Sequence, residues 1–356
     1  MSDTIYSNSI NSVVTILCSV GTSYAIGQGF FIQGPADGNG YIATAAHVIT
    51  DSKRVGSPVS PNIWIHITSP TNTIYKINGT TNVVLGRDKL ADVALLRIAG
   101  AGAITALAYG NSRTEIAPGS PITVIGYPQG FDAQSVCRGV VRDNKGTPDT
   151  YFSGVGGAFM ESVLTDCSIY GGNSGGPLIN EAGKWVGILS WGVGSDGAMN
   201  GGVASYLANE MFTWYIANYS GTTLTYPKGY LGISTTPMDM LLAVSRGLTS
   251  VQGHLVTANQ LAPARFAVGD IILTINGTPV GLLNNMSPFF TAVQLATPGT
   301  TLTVTYRPAA NLSTTLTKTV TTAAFPTARD VIFGNSRTLY GGHHLEERVT
   351  QTRTIA

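Results

Sequence analysis

Gly171-Gly172-Asn173-Ser174-Gly175-Gly176-Pro177-Leu178 (GGNSGGPL) is the stretch around which the rest of the chain is organised. One serine stands among four glycines, with a proline and an apolar run behind it. Glycine has no Cβ, so such a loop reaches positive φ and lets another chain approach closely. It can aim the Ser174 hydroxyl outward and converge its own N–H groups on one point. Acyl transfer needs both, a nucleophile and donors for the oxyanion that forms. A glycine-rich turn with an incidental serine has the same local composition, so the reading depends on partners elsewhere in the chain.

A serine hydroxyl is too weak an acid to attack a peptide unaided; it needs a base, and the base needs an orienting group. The chain has 5 histidines, at 47, 66, 254, 343 and 344. His47 lies in Thr44-Ala45-Ala46-His47-Val48-Ile49, directly after an apolar strand from whose end its ring could project. His66 sits within IWIHIT and reads as a tolerated mid-strand residue, His254 belongs to a later module, and the His343-His344 pair lies in the tail. For the orienting group, Asp92 opens the dense apolar run DVALLRI, where a carboxylate is costly to bury unless paired. Asp88, in GRDK, reads as solvated, and Asp51 follows His47 too closely to face back onto it.

Around these segments, short apolar runs alternate with turns at residues 13–17, 29–32, 41–45, 63–67, 83–85 and 93–98. A second set follows at 122–126, 135–141, 162–165, 176–179, 185–191 and 202–205. That rhythm predicts antiparallel barrels, with the turn-rich Ala117-Pro118-Gly119-Ser120-Pro121 as the crossing between them. Residues 207–219 (LANEMFTWYIANY) have helical apolar spacing and would close the unit.

TAAHVI, ADVALLRI and TDCSIYGGNSGGPLIN, in that order, resemble the three triad segments of the trypsin-fold serine proteases, and among them the HtrA (DegP-like) branch. The resemblance covers most of residues 12–207. It implies Ser174 as nucleophile, His47 as general base and then acid, Asp92 as orienter, and an oxyanion hole from the N–H groups of Gly172 and Ser174. Ser190, Trp191 and Gly192 are similar to the strand that pairs with substrate backbone. Ser168 stands where trypsin-like enzymes place an aspartate to bind Lys or Arg; a neutral serine cannot compensate a buried cation, so cleavage after apolar residues is expected. Two departures carry expectations. Gly171-Gly172 replaces the usual Pro-Gly, which permits a resting state with a collapsed hole. Asn173 carries no charge to pair with a newly cut N-terminus, so activation of that kind is not implied.

Residues 220–227 (SGTTLTYP) read as a linker. Beyond it, Lys228-Gly229-Tyr230-Leu231-Gly232-Ile233 is similar to the carboxylate-binding loop of the PDZ domains of HtrA proteases, and GHLV and GDIILTING match later segments. The resemblance implies that Tyr230, Leu231, Gly232 and Ile233 hold a chain-terminal carboxylate, the peptide adding as a strand beside Ile233. A helix beginning near Ser287-Pro288 would form the other wall. The expected fold is mainly β: a trypsin-like double β-barrel protease domain (1–222), a small α/β PDZ domain (223–322), and a tail (323–356) whose small apolar end could dock in a PDZ groove.

Bulk composition fits a strand-and-turn protein: charged residues are 11% of the chain, against roughly a quarter in an average domain. A net charge of +1 offers no electrostatic case for nucleic acid or an anionic membrane. Cys18, Cys137 and Cys167 lack any metal-ligand spacing and read as small buried apolar residues. The expectation is a serine endopeptidase acting on exposed or unfolded polypeptide, with no cofactor or metal, and, by resemblance, a homotrimer in protein quality control. With neither signal peptide nor membrane span seen, a cytoplasmic or in-assembly location is expected. The alternative is a chaperone-like, peptide-binding or structural assembly protein with little catalysis.

Overall fold

The computed structural model describes residues 4–50, 58–127, 135–146, 161–193, 199–281 and 287–325. Contacts divide the chain at Tyr226–Pro227 into two compact units.

In the first unit, helix α1 (Thr4–Ser9) leads into strands β1 (Val13–Val20), β2 (Ser23–Ile32), β3 (Gly40–Thr44), β4 (Ile63–Ile67), β5 (Thr73–Lys76), β6 (Val83–Asp88) and β7 (Val93–Ile98). They form one sheet in the order β5-β4-β1-β2-β3-β7-β6. β3 is buried throughout and β7 almost so, whereas β4 alternates, as a strand with one solvated face does. This sheet does not close on itself, unlike the expected first barrel. Its β6 edge is instead covered by the chain at Leu224, where Arg87 N donates to Leu224 O (2.8 Å) and Leu224 N to Leu85 O (2.9 Å).

Strands β8 (Pro121–Gly126), β9 (Ser135–Gly146), β10 (Ser162–Thr165), β11 (Pro177–Ile179), β12 (Trp185–Val193) and β13 (Met199–Ala204) do close, in the order β10-β13-β12-β11-β8-β9. Ile122, Val124, Val163, Leu178, Val186 and Leu189 fill the barrel. Helix α2 (Ser205–Asn218) follows and buries Leu207, Ala208, Met211, Phe212 and Tyr215, the stripe that its sequence spacing predicts. Trp185 ties the parts together, its ring 5.6 Å from that of Phe30 in the sheet and 6.4 Å from Phe212 in the helix. A side chain at Gly86 would overlap the Tyr215 ring, so the helix can lie against β6 only because that position is glycine.

The second unit comprises β14 (Gly229–Tyr230), β15 (Ile233–Pro237), α3 (Met240–Ser245), β16 (His254–Asn259), β17 (Ile271–Ile275), β18 (Thr278–Pro279), α4 (Ser287–Gln294), β19 (Thr301–Arg307), β20 (Leu316–Thr321) and β21 (Ala323–Ala324). Its main sheet runs β15-β16-β17-β19-β20, and Ile233, Val256, Ile272, Phe289, Val293 and Val304 share one core. The tail expected from residue 323 begins later, because β21 pairs with β14 and Phe325 N donates to Lys228 O (2.9 Å). Asp51, His343, His344 and the chain end lie outside the described residues. Of the cysteines, Cys18 and Cys167 are buried, and burial pushes the Cys167 thiol up to about 12. Cys137 is only half-buried, contrary to expectation, because β9 alternates between barrel and solvent there.

Candidate active site

The base side of the site is assembled on the open sheet. After β3 the chain turns through a short 3-10 segment, Ala46–Ile49, so His47 is held by a turn rather than projected from a strand end. Asp92 precedes β7 with φ +54°, a left-handed conformation that aspartate tolerates better than most side chains. That turn is fixed by Asp88, whose carboxylate accepts from Leu90 N (3.0 Å) and Ala91 N (2.8 Å). Asp88 is therefore fully buried, not solvated as expected from GRDK, because two backbone N–H groups offset its desolvation.

Asp92 grips the His47 turn at three points. Its backbone oxygen accepts from Ala46 N (3.1 Å), its Oδ1 from His47 N (2.9 Å), and its Oδ2 lies 2.8 Å from His47 Nδ1. The Asp92 side chain is 6% exposed and that of His47 28%, so the orienter is sealed while the base can reach a substrate. Ser190 Oγ also donates to Asp92 Oδ2. This side-chain bond is a second part for Ser190, beside the backbone pairing with substrate that is expected of its strand. Ser190 sits at a register break in the β12–β13 ladder, between the Leu189 and Trp191 pairs, and the bulge turns its hydroxyl onto the carboxylate.

The nucleophile side comes from the closed barrel. Gln28 N donates to Ser174 O (2.8 Å), linking β2 to the glycine loop. A Cβ on Gly27 would lie 2.6 Å from a Val48 methyl and 3.1 Å from Ser174 O; glycine there lets the His47 turn and the serine loop close on each other. Within the loop, Gly172 and Gly175 have φ +98° and +87°. Asn173 N is spent on Tyr170 O (3.2 Å) and Gly175 N on Leu189 O (2.7 Å). Among the described residues, the N–H groups of Gly172 and Ser174 donate to no backbone carbonyl. The arrangement can remove a proton from a hydroxyl through a carboxylate-steadied imidazole and offer two open donors to an oxyanion.

Of the other expected contacts, Trp191 is buried with its ring against Gly201, and Gly192 is exposed beside the buried Asn200. Ser168 is exposed. Asn200 Nδ2 donates to Cys167 O (2.6 Å), tying this wall to the segment before the nucleophile, a contact the sequence did not signal.

In the second unit, Leu231 and Ile233 pack in the core, and Gly229 and Tyr230 pair with β21. Gly232 takes φ +73°, and its oxygen accepts from Gln260 N (2.7 Å). Tyr230 donates from its hydroxyl to Gln260 Oε1, and its carbonyl accepts from Arg265 Nη1 (3.1 Å). Among the described residues, β15 pairs only with β16, so its other edge is open. His66 reaches Asn72 Oδ1 from Nε2 (2.8 Å), while His254 is fully buried, stacked on Phe289 at 4.8 Å. No cluster of three potential metal ligands occurs among the described residues, and no helix there is long and apolar enough to cross a membrane.

The chain is similar to known proteins. The family model described as a trypsin-like peptidase domain matches residues 27–188. A "Probable periplasmic serine endoprotease DegP-like" of Pseudomonas savastanoi pv. phaseolicola is 32% identical over 262 residues, covering 72% of this chain and 48% of the relative. One of the same description from Chlamydia pneumoniae is 30% identical over 281 residues, covering 77% and 50%. The chain thus spans about half the length of the curated relatives that it matches. The solved HtrA-type protease AlgW with tripeptide superposes with a TM-score of 0.67 at 21% identity, over 91% of this chain and 97% of that one. The serine endoprotease from Yersinia pestis gives 0.59 at 22% identity, over 90% and 97%. The expected cytoplasmic or in-assembly location is overturned by the relatives' description as periplasmic. It rested on not seeing a leader, and an absence identifies no compartment.

Proposed function

From the match of residues 27–188 to the trypsin-like peptidase domain model, we propose that the protein is a serine endopeptidase of the HtrA (DegP-like) kind. The observation that carries the reading is the His47–Asp92–Ser190 chain standing across Gly27 from the Ser174 loop, whose Gly172 and Ser174 N–H groups are open. In this reading His47 Nε2 takes the Ser174 proton as Oγ attacks the peptide carbonyl. Asp92 holds the ring through Nδ1 and stabilises the imidazolium that forms. The two N–H groups bind the oxyanion, His47 returns the proton to the leaving amine, and water then releases the acyl-enzyme by the same route.

The substrates are exposed or unfolded polypeptides cut after apolar residues, in keeping with Ser168, Trp191 and Gly192 offering no charge to a cationic side chain. The second unit acts as a PDZ domain. Its open β15 edge accepts an extended peptide, and the 229–233 loop receives the terminal carboxylate. The domain boundary proposed lies at 226/227 rather than 222/223, since Leu224 pairs with β6, and the second domain runs past 322 to include β21. The protein works in the periplasm, as its relatives are named, and as a homotrimer, which sedimentation would test.

A fluorophosphonate probe followed by peptide mass mapping tests the active site. The expected adduct is on Ser174 and disappears in His47→Ala. An unlabelled wild type, or labelling insensitive to His47, would contradict the assignment.

A further inference from the structure

Gln28 stands outside the triad, yet it is fully buried and reaches from the open sheet into the nucleophile loop of the closed barrel. Its Nε2 donates to Asn173 Oδ1 (3.2 Å), the side chain immediately before the nucleophile. Its backbone is clamped at both ends of the same residue: N donates to Ser174 O (2.8 Å), and O accepts from Thr44 Oγ1 (2.5 Å). The carboxamide lies between two glycines. A Cβ on Gly126 would fall 2.5 Å from its Oε1 and 2.6 Å from its Nε2, and one on Gly176 2.9 Å from Oε1. Both glycines therefore make room for this one amide. Gly175 is bound to the same residue, since a side chain there would overlap the Gln28 carbonyl.

A purely space-filling role does not suit this side chain. Gln28 Oε1 has no hydrogen-bond partner among the described residues, so the amide carries a desolvation cost that a methionine of similar volume would avoid. What the amide alone provides is the bond to Asn173. Asn173 has no charge with which to fix the loop, and it is itself 3% exposed. Its carbonyl accepts from Gly176 N (3.1 Å), so a bond to its side chain acts on the turn that carries Ser174.

We propose that Gln28 is a positioning residue for the nucleophile loop. Its neutral amide holds Asn173, and thereby keeps residues 171–176 in the form that leaves the Gly172 and Ser174 N–H groups open. The inference rests on the endopeptidase reading for its catalytic consequence, but not for its structural one. Loop order in this enzyme is thus set by an internal amide pair between sheet and barrel, and needs no newly formed chain terminus.

The test compares wild type with Gln28→Met, Asn173→Ala and the double variant, each read by peptidase kinetics and by backbone amide exchange. With Gln28→Met, kcat should fall about tenfold to a hundredfold, less than or comparable to losing an oxyanion donor outright, with KM within about twofold. The double variant should lose no more than the worse single one, because both remove one interaction. Exchange at residues 171–176 should quicken about tenfold in Gln28→Met while β8 and β12 keep wild-type protection. Unchanged kcat in an active wild-type background, or additive losses, would overturn the proposal. If wild type cleaves nothing, the endopeptidase reading fails and the exchange experiment decides alone: unaltered exchange at 171–176 refutes the positioning role. Should Gln28→Met not fold, Asn173→Ala carries both readouts.

Discussion

The two halves of the proposed catalytic unit hold their candidate groups by different means. On the open sheet, His47 is fixed by side-chain chemistry: Asp92 bonds its N–H and its ring, and Ser190 bonds Asp92. On the closed barrel, Ser174 is fixed by backbone, through positive-φ glycines, the Gly175 N to Leu189 O bond and the Gln28 N to Ser174 O bond. A base must keep one ring orientation while its charge changes, which calls for a buried anion. An oxyanion site must leave N–H groups unpaired, which calls for a loop whose other N–H groups are occupied.

Substitutions should separate these two modes. The largest effect is expected on the base side: Asp92→Asn should lower kcat by about 10⁴-fold with little change in KM, by turning the imidazole to the wrong tautomer. Steady-state kinetics on a chromogenic peptide check this, and a loss confined to KM would break the distinction. On the backbone side, Gly175→Ala should cost about 3 kcal/mol of stability, since the methyl would overlap Gln28 O at φ +87°. Gly183→Ala, also left-handed at φ +73° but with nothing within 4 Å, should cost only about 1 kcal/mol. Urea unfolding of the pair measures the difference, and equal costs would mean that close approach is not what the glycine provides. A smaller effect is expected from Ser190→Ala, about tenfold in kcat, because one charge-assisted bond to Asp92 is lost while the imidazole contacts remain.

The smallest effect on turnover is expected in the second unit, where a stability titration serves as a control. Burial lowers the Lys228 amine from its ordinary 10.5 to about 7. Below pH 7 it is protonated whether folded or unfolded, and the folded state bears the whole penalty. Between pH 7 and 10 the unfolded chain holds the extra proton, so stability rises with pH across that window. Lys228→Met should flatten this rise without altering Ser174 chemistry; a slope that persists in the variant would place the titration elsewhere.

Much of this was legible because the chemistry demands particular residue types in a particular order. His47, Asp92 and Ser174 stand out since each lies beside an apolar strand, and the strands announce themselves by spacing. Ser190 did not show its role, because a register break that redirects one hydroxyl leaves no periodic trace. Asp88 looked solvated because the two N–H groups that satisfy it are contributed by backbone, which any residues could supply. β5 is four residues of alternating half-exposure, too short for a period. α3 was hidden by composition: Met240, Leu241 and Val244 are all exposed, so it lacks the polar face that marks a surface helix. The open edge of the first sheet is covered by Leu224, far along the chain, and no local pattern carries that.

The most direct test of the account is cleavage of unfolded casein by wild type beside Ser174→Ala under identical conditions. Turnover by the wild type that falls about 10⁴-fold or more in the variant is the predicted result. Equal cleavage by both proteins, or none by the wild type even with an apolar C-terminal peptide present, would contradict it.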